Sequence, residues 1–428
     1  VNRVTRTPEE IRELVLGMLL ERERDHFWDE PPASANADAR EPFERHVNLL
    51  LVATMMLGVE LKDLKEKATE EAADLLPSFG AARPRFDADR YSRMSGRDSA
   101  RSLAPLQPDL FGEYFCLHRL EELAARNEHQ PLIDFALRLG RDRSAAFLVR
   151  AALDFPVRFQ ALGYLKPSPT TGPEGLLAYC AALIDITNLA PTRGNMELAL
   201  SFFEVARAFE KIEGFVEPVK RGYYLAIAEG AANLANAFGD VGEVDRELVE
   251  VERVKKLALE LDNVAFWRTA SRAAANFVID LSRADREDDA MIEAKWTRDL
   301  AETHNDIIIW RSSAKSSVIV INILWGRDDI NGMISELDHL KYLAASNDDY
   351  ELWIQCGNGA TIVAAMFALR GEMDSAQSER EMAEALLSSY PDDELENHVK
   401  VMQRAWLQLE GLEPEPPGSP AGARPRHR

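Results

Sequence analysis

Trp267, Trp310 and Trp353 stand 43 residues apart, and one further step of 43 back from Trp267 lands on Tyr224. No other feature constrains the fold as much, because a chain that repeats a fixed interval without gaps repeats a structural unit. The columns around these anchors agree. Small residues follow four positions on (Ala228, Ser271, Ala314, Gly357), and apolar ones ten positions on (Leu234, Phe277, Val320, Val363). Large apolar residues stand at fourteen (Phe238, Leu281, Leu324, Phe367) and leucines at thirty-three (Leu257, Leu300, Leu343, Leu386). The spacing predicts two helices per unit. The first begins near the anchor. A turn follows at Gly239-Asp240, Asp285, Gly326 or Gly371, and then the second helix carries the leucines. Asp262-Asn263, Asn305-Asp306, Asp348-Asp349 and Asp392 close the units and are good caps for the helix that follows. A single helical hairpin cannot bury its apolar face alone, so neighbours stack, and the expected fold is all-α, an α-solenoid of hairpins. The segment 196–212 extends it upstream with looser spacing. The tryptophans and all four leucines are expected in the core.

The aromatic-then-small first helix resembles tetratricopeptide-like repeats over residues 126–410, with the 43-residue register running from 224. The period is longer than that family's and its second-helix consensus is poorly kept. The resemblance implies a recognition surface rather than an enzyme. The uncharged run 352–369 is long enough to raise the question of a membrane span. Its Gln355, Asn358 and two glycines, and its place in the repeat, favour a soluble helix. Gly357-Asn358-Gly359 reads as close helix packing rather than a phosphate loop. Residues 411–428 carry five prolines without apolar periodicity and are expected to be a disordered tail, with Arg424, Arg426, His427 and Arg428 a short basic cluster.

Upstream of the repeat, Thr7-Pro8-Glu9-Glu10 signals a helix start by a capping box, followed by Ile11, Leu14, Val15, Met18 and Leu19 at helical spacing. Further helices are expected at 41–57, 61–76 and 109–125. Gly80 to Pro84 breaks the pattern, 85–107 leaves room for a short hairpin, and 166–174 (KPSPTTGPE) is a loop. The segment 105–120 (PLQPDLFGEYFCLHRL), with 49–58 (LLLVATMMLG), resembles the winged-helix end of bacterial STAND-type P-loop NTPases, the NACHT and AP-ATPase relatives. In those proteins an ATPase core is followed by a helical lid, a winged helix and a ligand-sensing repeat array. The resemblance therefore implies a small helical, winged-helix-like domain over 1–125 that leads into the array. It also implies a P-loop NTPase module as a partner, in cis or in trans. The chain departs from those relatives in having no GxxxxGK[ST] and no acidic strand end for magnesium. Where NACHT proteins often carry a histidine, five residues before the glutamate, it has Pro108. Asp109 and Glu113 read either as a helix cap with a first-turn acid or as a contact between domains. A chain opening on Val1 fits a fragment of a longer protein or a literally translated GTG start.

Acidic residues outnumber basic ones 72 to 50, a net charge of −22, which disfavours nucleic acid as a partner. Cys116, Cys180 and Cys356 are three scattered cysteines without CxxC, which disfavours a disulfide scaffold or zinc ribbon and fits a reducing cytoplasm. The eight histidines form no HExxH, so no metal is expected. No GxSxG is present, Cys116 and His118 point different ways on a helix, and no cofactor or catalytic residue is expected. One surface feature stands out. Positions one and five after the anchor share a helix face, which would line the concave groove of a tetratricopeptide array. They read Leu225/Glu229, Arg268/Arg272, Arg311/Lys315 and Ile354/Asn358. Arg268, Arg272, Arg311 and Lys315, with Asn358, form a candidate site for an acidic peptide or protein, unless nearby carboxylates take up the cations. The leading expectation is a non-catalytic, cytoplasmic recognition module, the sensor half of a STAND-type signalling NTPase. The alternative is a free-standing repeat adaptor, and an enzyme with an unrecognised site comes third.

Overall fold

The helix starts follow from local chemistry. Thr7 Oγ1 accepts from the Glu10 amide at 3.2 Å while Glu10 answers to the Thr7 amide at 2.8 Å, opening α1 (Pro8–His26). Asn36 caps α2 (Ala37–Met55), which therefore begins earlier than the apolar pattern alone predicts. The computed structural model describes residues 7–32, 34–67, 72–79, 84–97, 101–107, 109–209 and 219–409. The tail 411–428 with its basic cluster, Val1, Pro108, most of the 80–84 break and the end of the 196–212 segment lie outside the described residues.

The described chain is mostly helical. It separates into two compact units, Val1–Gly230 and Ala231–Arg428, and the division falls inside helix α10 (Val219–Asp240) rather than at 125.

In the first unit α2 is buried along its length, Leu49 to Val52 being fully covered by α5 (Asp109–Ala124) and α6 (Gln130–Asp154). The hairpin expected within 85–107 does not form among the described residues. Asp87 caps and Gly96 ends a helix instead, α4 (Ala88–Ser95). The strand beyond it, β2 (Ser102–Leu103), pairs antiparallel with β1 (Val59–Glu60), on the other side of the short helix α3 (Leu61–Lys67). Gly112 is required where α5 closes on this region, because a Cβ there would stand 2.5 Å from the Leu106 carbonyl oxygen. The 166–174 loop is stapled to α6 by buried Asp134, which accepts from the Ser168 amide at 2.8 Å, the Thr171 hydroxyl at 2.7 Å and Gln130 at 2.9 Å. After short α7 (Pro156–Ala161) come α8 (Pro173–Leu189) and α9 (Met196–Ala208).

In the second unit the 43-residue interval reappears in the backbone. The first helices of successive units, α12 (Val264–Arg283), α14 (Ile307–Gly326) and α16 (Tyr350–Leu369), start at that interval. So do the second helices, α11 (Val244–Leu261), α13 (Glu287–His304), α15 (Ile330–Asn347) and α17 (Met373–Ser389). The turn within each unit places Gly242, Asp285, Asp328 or Gly371 in the left-handed region, at φ of 77°, 58°, 58° and 79°. These are the residue types that accept it, and in the first and third units they lie two or more residues beyond the glycines that the sequence picks out. The turn between units does the same at Asp262, Asn305 and Asp348, after which Asn263, Asp306 and Asp349 cap the next helix. Trp267 and Trp310 are buried and their indole N–H groups donate back to Asp262 and Asn305, at 3.2 and 3.3 Å, tying each anchor to the turn before it. Trp353 is half-buried.

The leucine column needs correction. Leu300 and Leu343 are buried, but Leu257 and Leu386 are only half-buried. The fully covered column is the next one, Ala258, Ala301 and Ala344, where a small side chain lets the helices close and the leucines lie at the seam's edge. The column ends at Leu387, which is only half-buried, and α18 (Asp393–Leu409) follows.

Among the described residues three helices are long and apolar enough to cross a membrane, at 173–193, 307–326 and 350–369. Their most apolar windows are 56%, 67% and 72% buried against other helices, so packing accounts for much of their hydropathy. Cys116, Cys180 and Cys356 are all free and buried, and burial pushes each thiol up, Cys180 and Cys356 to about 12.

Candidate binding surface

The four cations separate into two kinds. Arg268 faces the cap of the next unit's first helix and donates to both oxygens of Asp306, at 2.7 to 3.2 Å. One period later Arg311 does the same to Asp349, at 3.0 and 2.7 Å, and reaches Glu351 at 2.9 Å. Each aspartate thus caps a helix with one oxygen and clips the previous unit with both. The guanidinium holds each of them below the usual carboxylate range. Arg268 and Arg311 are therefore parts of the joint between repeats and not free ligands, which corrects the expectation of a four-cation site.

Arg272 and Lys315 are different. Both are exposed, and among the described residues neither makes an ion pair. Lys315 Nζ donates to Asn276 Oδ1 at 2.9 Å, and Asn276 lies one helical turn from Arg272 on the same face of α12. Asn276 in turn donates to Asn236 of α10 at 2.9 Å. A polar seam therefore crosses α10, α12 and α14, with Lys315 at its α14 end and Arg272 exposed one turn from Asn276.

Asn358 does not belong to that surface. It is 1% exposed, and neither its amide nitrogen nor its oxygen has a hydrogen-bond partner. Gly357 and Gly359 beside it are packing positions. A Cβ at either would stand about 3 Å from leucine or isoleucine methyls.

Asp109 and Glu113 both face Arg150 of α6. Arg150 Nε donates to Glu113 Oε1 at 2.7 Å, while exposed Asp109 stands 3.9 Å from the guanidinium. Asp109 is the first residue of α5 rather than its cap. Glu113 is buried. Desolvation raises its carboxyl, Arg150 opposes, and the neighbouring Asp154 carboxylate adds to the rise. Cys116, next on the same helix, is fully buried, whereas His118 is half-buried, stacked on Tyr114 and flanked by Glu121 and Glu122.

Sequence reasoning missed a second set of joints. Lys255 pairs with Glu293 at 2.7 Å, Arg298 with Glu336, and Lys341 with Glu379 at 2.8 Å. The three cations are 43 residues apart, and so are the three acids, so the ladder runs along the second helices as the arginine clips run along the first. Columns thirty-one and twenty-six after the anchor carried that signal. Among the described residues no cluster of three or more metal-ligating side chains occurs. Compared with known proteins, the chain matches no family model and no curated protein sequence.

Proposed function

We propose that this protein is a non-catalytic recognition module. In this reading an α-solenoid of tetratricopeptide-like hairpins follows a small winged-helix-like domain, as the cytoplasmic sensor half of a STAND-type signalling NTPase. The ligand is an acidic peptide or protein, bound on the face of α12 and α14. The observation that carries this is the division of the cations. In a chain of charge −22, Arg268 and Arg311 are taken up by Asp306 and Asp349, while Arg272 and Lys315 stand exposed beside a row of amide side chains. Two neighbouring cations without counter-charges repel each other, and an incoming carboxylate relieves that repulsion.

Two further observations support a protein partner. The outer face of α1 exposes Ile11, Leu14, Val15 and Met18 to between 46% and 62%, an apolar stripe of the kind that partner surfaces cover. Asp109 and Glu113 of the winged-helix-like segment reach Arg150 on α6, the first helix after that segment, which supports its reading as a joint into the helical region.

The test is titration of a fluorescent glutamate-rich peptide. Wild type should bind, and binding should weaken as salt is raised. Arg272→Glu with Lys315→Glu should lose at least tenfold in affinity with an unchanged melting temperature. Equal binding by the reversed variant would remove the proposed face. ATP or GTP turnover by pure protein that a point substitution abolishes would remove the non-catalytic reading.

A further inference from the structure

The repeat breaks its own rule at one place. The column holding Ala290, Met333 and Ala376, all fully buried, has Glu247 in its first unit. The column holding Ile323 and Met366, both buried, has Asp280. These two exceptions meet. Asp280 Oδ2 and Glu247 Oε2 both crowd against Gly239 of α10, where a Cβ would stand 2.2 and 2.9 Å from them, so both oxygens lie within 3 Å of one point. Glu247 is 0% exposed, and neither of its oxygens has a hydrogen bond to an N–H or hydroxyl donor. Such a carboxylate is not stable as an ion in that place, and a buried carboxyl against a carboxylate has one remedy, a shared proton.

We propose that Glu247 and Asp280 share a single proton, which locks α11 against α10 and α12, and that loss of this proton opens the joint. The surrounding charges fit. From α10, Asp240 adds a further negative charge. From α12, Asp280 is held on its other oxygen by Arg283 at 2.9 Å, so that cation is spent on Asp280 and not on Glu247. On α11 itself Arg246 is engaged with Glu243, and Arg253 with Glu250. At the start of α13, Arg286 is taken by Asp245 and Asp289. Among the described residues no cation reaches Glu247.

Burial, with Asp280 and then Asp240 beside it, pushes the Glu247 carboxyl up to about 8. Folding therefore takes up a proton between the ordinary carboxyl range near 4.5 and about 8. The stabilisation is complete below that window, is lost through it as pH rises, and levels off above it. For one proton the opening equilibrium changes about tenfold per pH unit inside the window.

Hydrogen exchange of the amides in 234–250 and 273–283, corrected for intrinsic rates, reads this directly. In wild type the opening equilibrium should rise by about fifteenfold between pH 6.5 and 8. In Glu247→Gln, which keeps the shape and removes the titration, it should stay flat over the same range. A wild type without pH dependence in these helices, or a Gln variant that follows wild type, would overturn the proposal. Glu247→Met, the side chain the column carries at Met333, serves as a second variant should Gln fail to fold. It should be flat and at least as protected as wild type at pH 8, and pH dependence surviving in it would equally overturn the shared proton.

Discussion

In the first unit, polar side chains are used once each. Buried Arg119 donates to Asn48 Oδ1 through two nitrogens, at 3.0 and 2.8 Å, and to Glu122 at 2.7 Å. Arg158 joins Glu13 to Glu121 and lies over the Tyr114 ring, and Asp134 gathers the 168–171 loop. None of these arrangements is repeated at a fixed interval along the chain. In the second unit the same chemistry is copied. A cation meets an acid 38 residues on at 255, 268, 298, 311 and 341, and a left-handed Gly, Asp or Asn turns the chain at each corner from Gly242 to Gly371. The difference teaches where stability is concentrated. Removing a hub of the first unit strands several partners together, whereas a joint of the second unit has equivalents one period away.

The comparison can be broken most severely at Arg119. Arg119→Ala removes both charged donors from buried Asn48 Oδ1 and one of the two arginines that meet Glu122, and urea unfolding of the first unit should show a loss of about 3–5 kcal/mol. Lys255→Ala strands buried Glu293 and should cost a similar amount, but here the repeat offers a remedy. Lys255→Met combined with Glu293→Met should recover most of it, because replacing both partners leaves no stranded buried charge. A double variant as unstable as the single one would show that this rung is as irreplaceable as Arg119.

Core truncation comes next. Leu343→Ala should cost about 2–5 kcal/mol, and Leu386→Ala less than half as much, because that leucine is already half in solvent. Equal losses would restore the expectation of a uniform leucine column. The smallest effect belongs to the half-exposed clip. A double-mutant cycle on Arg311 and Asp349 should give a coupling of about 0.2–1 kcal/mol that shrinks in salt.

These effects also mark what was legible in the sequence. The period, the caps at Asn263, Asp306 and Asp349, and the Thr7–Glu10 box could be read because each is a local rule about residue type and spacing. The arginine clips were half legible. The Arg268 and Arg311 column was visible, but its partners lie 38 residues away, and only packing brings them close. Leu257 was misread because periodicity assigns a face, not the depth at which a neighbour closes on it, and Ala258 sets that depth. The pairing of Val59–Glu60 with Ser102–Leu103 and the convergence of Glu247 with Asp280 on Gly239 left no periodic trace. The first rests on two-residue strands, and the second appears only as an exception to columns that must first be aligned.

The central claim is that a 43-residue register, rather than any single contact, builds the second unit. Excising residues 307–349 tests it directly, because the cut removes one period and returns Tyr350 to the place of Ile307. Arg298 then meets Glu379 where Glu336 stood, and Arg268 keeps Asp306. The shortened protein should keep a cooperative thermal transition and lose helical signal only in proportion to its length, while excision of 307–339, which breaks the register, should abolish the transition. If both excisions unfold the unit alike, or both leave it folded, the register is not what holds it together.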